Sequence, residues 1–276
     1  MAIVYEFNSN TIGFHHSIDK IPSEDQFKMH AHDEYELLYF VSGNGKFTIE
    51  GNTYELKKDS IFLMRPAEIH KISILSDTPY ERMVVHFKKE ALLNIDPTGI
   101  LTKVFDERQM GEDNVYFLNE FEGLDVRKLF YAMKTDGETV KKHLAIISNL
   151  MPVLYKLESM SKERKTTHIS NKRNDVLGEL VNFINRHLSD NLSLEILSNH
   201  FYLSKSQLNR IFKVGTGTSI WEYILLKRLM GARNLIKSGV GVVKASQQFG
   251  FSDYSAFYRA YKKHYNISPK SDFKMQ

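Results

Sequence analysis

The sequence predicts a two-domain α+β protein. An N-terminal β-barrel is followed by dimerisation helices, and an all-α C-terminal domain carries two helix-turn-helix units joined by a long helix. Three observations carry this prediction. Residues 35–88 fall into short β-rich runs parted by turn signals, whereas residues 175–276 show only helical periods. Charge divides the chain similarly: residues 1–171 carry 21 Lys and Arg against 26 Asp and Glu, and residues 172–276 carry 16 against 7. A basic half joined to a mildly acidic one points to a polyanion as the partner of the C-terminal part alone.

At 276 residues the chain can bury two cores. It has no cysteine, which excludes disulfides, thiolate metal sites and cysteine nucleophiles and suits a reducing cytoplasm. No apolar run approaches the ~20 residues that cross a bilayer. The start, MAIVYEFNSN, lacks the basic region and long apolar core of a signal peptide. A cytoplasmic protein without a membrane partner is expected.

The β-rich runs are ELLYFVS, KFTIE, TYEL, IFLM, HKISIL and YERMVVHF, separated by GNG, GN, KKDS, RPAE and SDTP. Breaks this regular argue for an antiparallel sandwich or small barrel. Within HAHDEYELLYFVSG, residues His30, His32 and Glu36 are all even-numbered, so a single strand sends them to one face. Val84 and His86 share a face in the same way. Imidazoles beside a carboxylate suit a first-row metal, hydrogen bonding to a polar small molecule, or mutual satisfaction in a core. The first 20 residues, with His15 and His16, read as a simple opening strand.

A helical region runs from about Leu124 to Met160. Leu144, Ile147, Met151 and Leu154 form one apolar row, and Ile146, Leu150, Val153 and Leu157 form a second. Two rows suggest one face against the domain and one against a second subunit, with a kink at Pro152. The expected boundaries are a sensing and dimerisation domain over 1–160, a polar linker over 161–174, and a DNA-binding domain over 175–276.

In that last part a helix over Val176–His187 precedes NLSLEILSNHFYLSKSQLNRIFKV, in which Ser193 is placed as an N-cap. A break at Tyr202–Ser204 leads into SKSQLNRIFK, with Leu208, Ile211 and Phe212 inward. Its outer face would carry Ser206, Gln207, Asn209, Arg210 and Lys213. The logic repeats in GVVKASQQFGFSDYSAFYRAYKKHY: a helix over Val242–Gln248, a turn at Gly250–Asp253 and a helix over Tyr254–Tyr265. That last helix exposes Tyr254, Ser255, Arg259, Lys262 and Lys263. Arg210 and Arg259 are equivalent, each two residues before the aromatic of RIF and RAY. Asn and Arg suit adenine and guanine edges, and Lys suits phosphate. Between the units lies SIWEYILLKRLMGARNLIK, a spacer able to set two major grooves about 34 Å apart.

The strings SKSQLNRIFK, WEYILLKRLMGARNLI and FGFSDYSAFYRAYKKHYNISP resemble the DNA-binding domain of the AraC/XylS family of transcription regulators. The resemblance places Ser206, Asn209 and Arg210 where the first helix reads bases, and Tyr254, Ser255 and Arg259 where the second does. Ser198 and Ser246 stand where the family commonly has Ala, and Tyr202 where it often has Gly. Residues 28–88 resemble the cupin sensor domain of such regulators: HAHDEYELLYFVSG matches the first cupin motif and DSIFLMRPAEIH, ending in His70, the second. Asp59 and Ala67 replace its usual glycines.

The resemblance implies a transcription regulator, activation being the default, with double-stranded DNA, a second copy of the chain and RNA polymerase as partners. A small-molecule effector, with carbohydrates as the leading class, would be held by His30, His32, Glu36, His70 and His86. No cofactor is required; a divalent metal on His30, His32, Glu36 and His70 is a further candidate. The alternative is a metal-dependent cupin enzyme with an accessory DNA-binding domain.

Overall fold

The computed structural model describes residues 2–20, 29–74, 78–167 and 176–274. They form two compact units, Met1–Lys172 and Arg173–Gln276.

The first unit is built on two antiparallel sheets. Its strands are β1 (Ala2–Asn8), β2 (Ile12–Asp19), β3 (Tyr35–Ser42), β4 (Gly45–Ile49), β5 (Asn52–Glu55), β6 (Ser60–Met64), β7 (His70–Ile74), β8 (Tyr80–Phe87) and β9 (Val115–Phe117). The larger sheet runs β1-β2-β8-β3-β6-β9 and the smaller β5-β4-β7. The expected barrel takes the form of a sandwich: Leu38, Phe40 and Phe62 of the large sheet share a buried core with Phe47, Ile49 and Ile72 of the small one. The opening residues form a two-stranded hairpin, β1 with β2, rather than a single strand. Only the pairing of β2 with β8 makes that hairpin part of the sheet.

The opposite face of the large sheet is covered by α1 (Lys103–Asp106), α2 (Val126–Ala132) and α3 (Thr139–Thr167). The inner row of α3, Ile146, Leu150, Val153 and Leu157, is completely buried there. The outer row divides: Ile147 and Leu154 are buried, but Leu144 is 61% exposed, as are Val140 at 66% and Tyr155 at 69%. The helix is continuous through Pro152 and reaches Thr167, into the segment expected as linker. The rest of that segment lies outside the described residues.

Two non-glycine residues in this unit occupy the left-handed region where the resemblance calls for glycine. They are Asp59 at φ 62° and Ala67 at φ 65°. Asp59 is compensated by bonds from Tyr39 Oη at 2.7 Å and Arg127 Nη2 at 2.6 Å.

The second unit is all helical among its described residues: α4 (Val176–Arg186), α5 (Leu194–Phe201), α6 (Lys205–Thr216), α7 (Ile220–Lys237), α8 (Val242–Gln248), α9 (Tyr254–Tyr265) and α10 (Pro269–Lys274). Four of these helix starts have a local cause. Ser193, Ser204, Ser219 and Asp253 accept backbone N–H groups as N-caps. Tyr202, at φ 54°, ends α5 in the left-handed conformation, a third non-glycine residue where glycine is usual. Ser198 reinforces this turn, its Oγ donating to Leu203 O at 2.6 Å. Helix α7 is the central strut, with Tyr223, Leu229 and Ala232 buried. Phe249 packs so closely on it that a Cβ at Gly231 would lie 2.0 Å from the ring.

Candidate functional site

Two sites emerge, one in each unit. In the helical unit, α5–α6 and α8–α9 are helix pairs joined by tight turns, and both second helices are 12 residues long. Each turns one apolar side inward: Leu208 and Phe212 on α6, Phe257 and Tyr261 on α9. The other side is solvent-facing. Ser206, Gln207, Arg210 and Lys213 are exposed and Asn209 is half-buried; Tyr254, Ser255, Arg259, Lys262 and Lys263 are all exposed. Every residue expected to meet DNA is therefore at or near the surface of its helix. Two carry internal bonds that spacing alone did not reveal. Gln207 Oε1 accepts from Ser204 N at 2.9 Å and Ser204 Oγ at 2.8 Å in a capping box, and Asn209 Nδ2 donates to Lys205 O at 3.2 Å.

Buried polar groups fix the two heads to the strut. Arg228 Nε donates to Leu188 O at 2.9 Å, Nη1 to Gly250 O at 3.0 Å and Nη2 to Asp190 O at 2.6 Å. One guanidinium on α7 thus ties the segment after α4 to the turn between α8 and α9. At the C-terminal end, buried Asp272 accepts from Arg233 Nε at 2.8 Å and from the hydroxyl of Tyr261 on α9. Burial opposes ionisation of Asp272, but the Arg233 and Tyr261 bonds outweigh it and hold the carboxyl below its usual range.

In the first unit the single-strand premise fails for His30 and His32, which precede β3 and reach the cluster from the connecting segment, so parity holds only for Glu36 and His86. Glu36 on β3 lies directly opposite His86 on β8, on the face that meets the small sheet. Its carboxylate is buried, and Oε2 lies 2.8 Å from His32 Nε2, 3.1 Å from His86 Nε2 and 3.4 Å from His70 Nε2. His70 enters from the small sheet, and a bridge joins it to His30. His30 itself is exposed. Burial disfavours the Glu36 carboxylate, yet the nearby His86 and the bonds from His32, His70 and His86 drive its pKa well below the usual value. His32 is its counter-ion. Both ring nitrogens of His32 face acceptors, Nδ1 the carbonyl of Glu34 at 2.9 Å and Nε2 the Glu36 carboxylate, an arrangement that favours the imidazolium when no cation is bound. Its pKa is accordingly raised, burial pulling down and Glu36 more than compensating.

The candidate metal ligands form two overlapping trios among the described residues, His30–His32–His70 and His32–Glu36–His86, with the ligand atoms of each within 4.8 Å of one another. His86 therefore belongs to the second trio, which the four-ligand expectation omitted. The donor set fits a divalent cation. His70 Nδ1 lies 2.8 Å from Glu68 O, and His32 Nδ1 is likewise bound to a carbonyl, leaving each Nε2 turned toward Glu36. A carbonyl on one ring nitrogen is how proteins orient a ligating histidine. The buried Nε2 of His70 has the Glu36 carboxylate, at 3.4 Å, as its partner.

One neighbour went unread. His15 on β2 stacks on His86 with ring centroids 5.8 Å apart. Burial, with Arg82 nearby, lowers its pKa to about 4, so it is neutral at pH 7. Arg65, at the rim, donates to Asp106 O at 2.8 Å and Arg108 O at 3.3 Å and so anchors a loop.

A β-rich unit followed by a helical unit with two helix-turn-helix pairs is the architecture of a ligand-responsive transcription regulator. Comparison with known proteins agrees. The AraC-like ligand binding domain family matches residues 18–122, and a helix-turn-helix domain family matches residues 197–275. The Msm operon regulatory protein of Streptococcus mutans is 26% identical over 280 residues, covering 98% of this chain and 95% of the relative. The HTH-type transcriptional activator RhaS of Escherichia coli is 25% identical, covering 92% of this chain and 95% of the relative. Among solved structures, ToxT from Vibrio cholerae is 13% identical with a TM-score of 0.38, covering 97% of this chain and 98% of that one. The chain belongs to the AraC family of transcription regulators.

Proposed function

We propose that this regulator is a cytoplasmic, homodimeric activator whose DNA binding is set by a small polar effector, a carbohydrate being the leading class. The observation that carries the sensor reading is the Glu36 carboxylate, buried among His32, His70 and His86 at 2.8–3.4 Å. A charged acceptor ringed by imidazoles offers both acceptor and donor groups, as a hydroxylated molecule needs. The same residues accept a divalent cation, because the Nδ1 atoms of His32 and His70 face carbonyls. When bound, a metal would supply Lewis acidity toward an effector oxygen.

The dimer reading rests on Val140, Leu144, Met151 and Tyr155, which fall within one helical stripe of α3. Three of these four are exposed apolar side chains, and Met151 is half-buried. On DNA, the duplicated heads would enter successive major grooves about one helical turn apart. Arg210 and Arg259 would read guanine, and Lys213, Lys262 and Lys263 would hold phosphate. Effector binding shifts the balance between arrangements of the subunits, and RNA polymerase is the partner through which activation proceeds.

A thermal-shift screen of sugars and small polar metabolites, with and without chelator, tests the sensor reading. A stabilising sugar whose effect disappears in Glu36→Gln is expected. A full shift retained in that variant would place the effector elsewhere.

A further inference from the structure

The two reading helices can be aligned without a gap, and the alignment separates what they share from what they do not. Both span 12 residues, both start at a side-chain N-cap and both stop at a left-handed residue, Gly217 for α6 and Asn266 for α9. Registering Arg210 on Arg259 also superimposes Ser206 on Ser255 and Lys213 on Lys262. These three positions are spaced i, i+4, i+7 and therefore lie on one face of each helix. The same Ser-Arg-Lys frame on helices of equal length would seat each helix in its groove the same way. Lys then meets phosphate and Arg the N7 and O6 of a guanine.

Beside that frame the position next to the arginine changes character. At i+3, next to the arginine, α6 carries Asn209 and α9 carries Tyr258, which is exposed. Asparagine offers a donor and an acceptor side by side, the pattern that matches adenine N7 and N6 in the major groove. Freeing its amide for this costs only the long 3.2 Å bond to Lys205 O. Tyrosine has no paired donor and acceptor. Its ring, with Tyr254 one turn earlier and 6.4 Å away, forms an apolar strip suited to the C5-methyl of thymine. Gln207 does not compete for the first head, since its carbonyl oxygen caps α6; its counterpart on α9 is Ala256.

We infer that one protomer reads two unlike sub-sites, each with a guanine at the same offset, flanked by adenine under Asn209 and by thymine under Tyr258. This rests on the DNA-reading role proposed for α6 and α9 and adds base identity to it. The operator is therefore directional: a protomer cannot exchange its two heads.

Selection from randomised duplex DNA with the full-length protein and with Tyr258→Asn tests this. Wild type should enrich a motif with two guanines about one duplex turn apart. Adenine should neighbour one and thymine the other, and loss of that thymine should weaken binding about 5- to 150-fold, the usual cost of one mismatched base pair. Tyr258→Asn, at an exposed position and checked for native helicity by circular dichroism, should convert only the thymine to adenine. Asn209→Ala should relax only the adenine position. An unchanged thymine preference in Tyr258→Asn, or changes in both halves at once, would overturn the inference while leaving DNA reading intact. A wild-type protein that enriches no motif would overturn the reading role of these helices as well.

Discussion

Arg228 and Gly250 are fitted to each other: Nη1 donates to the Gly250 carbonyl at 3.0 Å, and a Cβ at Gly250 would lie 2.9 Å from the guanidinium Cζ. Gly250 also has φ 74°, so the turn before α9 needs glycine for its backbone and for its neighbour. The same guanidinium reaches Leu188 and Asp190, and desolvation lowers its pKa, the mark of a cation held by carbonyls rather than by a carboxylate.

Arg228→Met should therefore destabilise the helical unit by about 1–3 kcal/mol, because it removes three hydrogen bonds to part-buried carbonyls. Trp221, the single tryptophan, lies on α7, so urea unfolding followed by its fluorescence reports this unit. Gly250→Ala should be similarly harmful, through strain at positive φ and displacement of the arginine.

Tyr202 provides the opposite case. It is 93% exposed and sits at φ 54°, so its side chain contributes little packing while its backbone is unfavourable. Tyr202→Gly should stabilise the unit by about 0.5–1 kcal/mol, the left-handed penalty less the greater unfolded-state freedom of glycine. The same urea titration gives the sign.

Acid should release the latch at Asp272. Its folded pKa is depressed by Arg233 and Tyr261 despite burial, so its contribution is fully present above the unfolded value of about 3.9 and is lost as pH falls through the lower folded value. Asp272→Asn should lower stability at pH 7 and flatten the acid limb of the stability profile. Denaturation midpoints from pH 7 down to pH 2, wild type against variant, measure this.

In the sensor unit, Glu36→Gln removes the carboxylate that raises the pKa of half-buried His32. His32 should then titrate below its present raised pKa, because burial is no longer opposed by the carboxylate. Histidine-selective NMR titration shows the direction.

These sites differ in how far they were legible beforehand. The reading helices were legible because their signals are local, a cap, a turn and an apolar period; α9 has the expected ends, whereas α6 continues past Lys213 to Thr216. The clustering of Glu36 with His86 followed from strand parity once β3 and β8 were neighbours. His15 was not legible, since its place depends on a hairpin whose pairing with β8 is a tertiary event. The engagement of Gln207 was hidden for a different reason: at the third position of a helix a glutamine can cap or can face solvent, and spacing does not choose. The positive φ at Asp59, Ala67 and Tyr202 shows a backbone keeping a glycine-like shape without glycine.

The central claim is that α6 and α9 both read the operator. Fluorescence-anisotropy titration of the selected site with wild type, Arg210→Ala and Arg259→Ala tests it most directly. Each variant, folded by circular dichroism, should lose about 1–3 kcal/mol of specific binding. Wild-type affinity in both variants would contradict it.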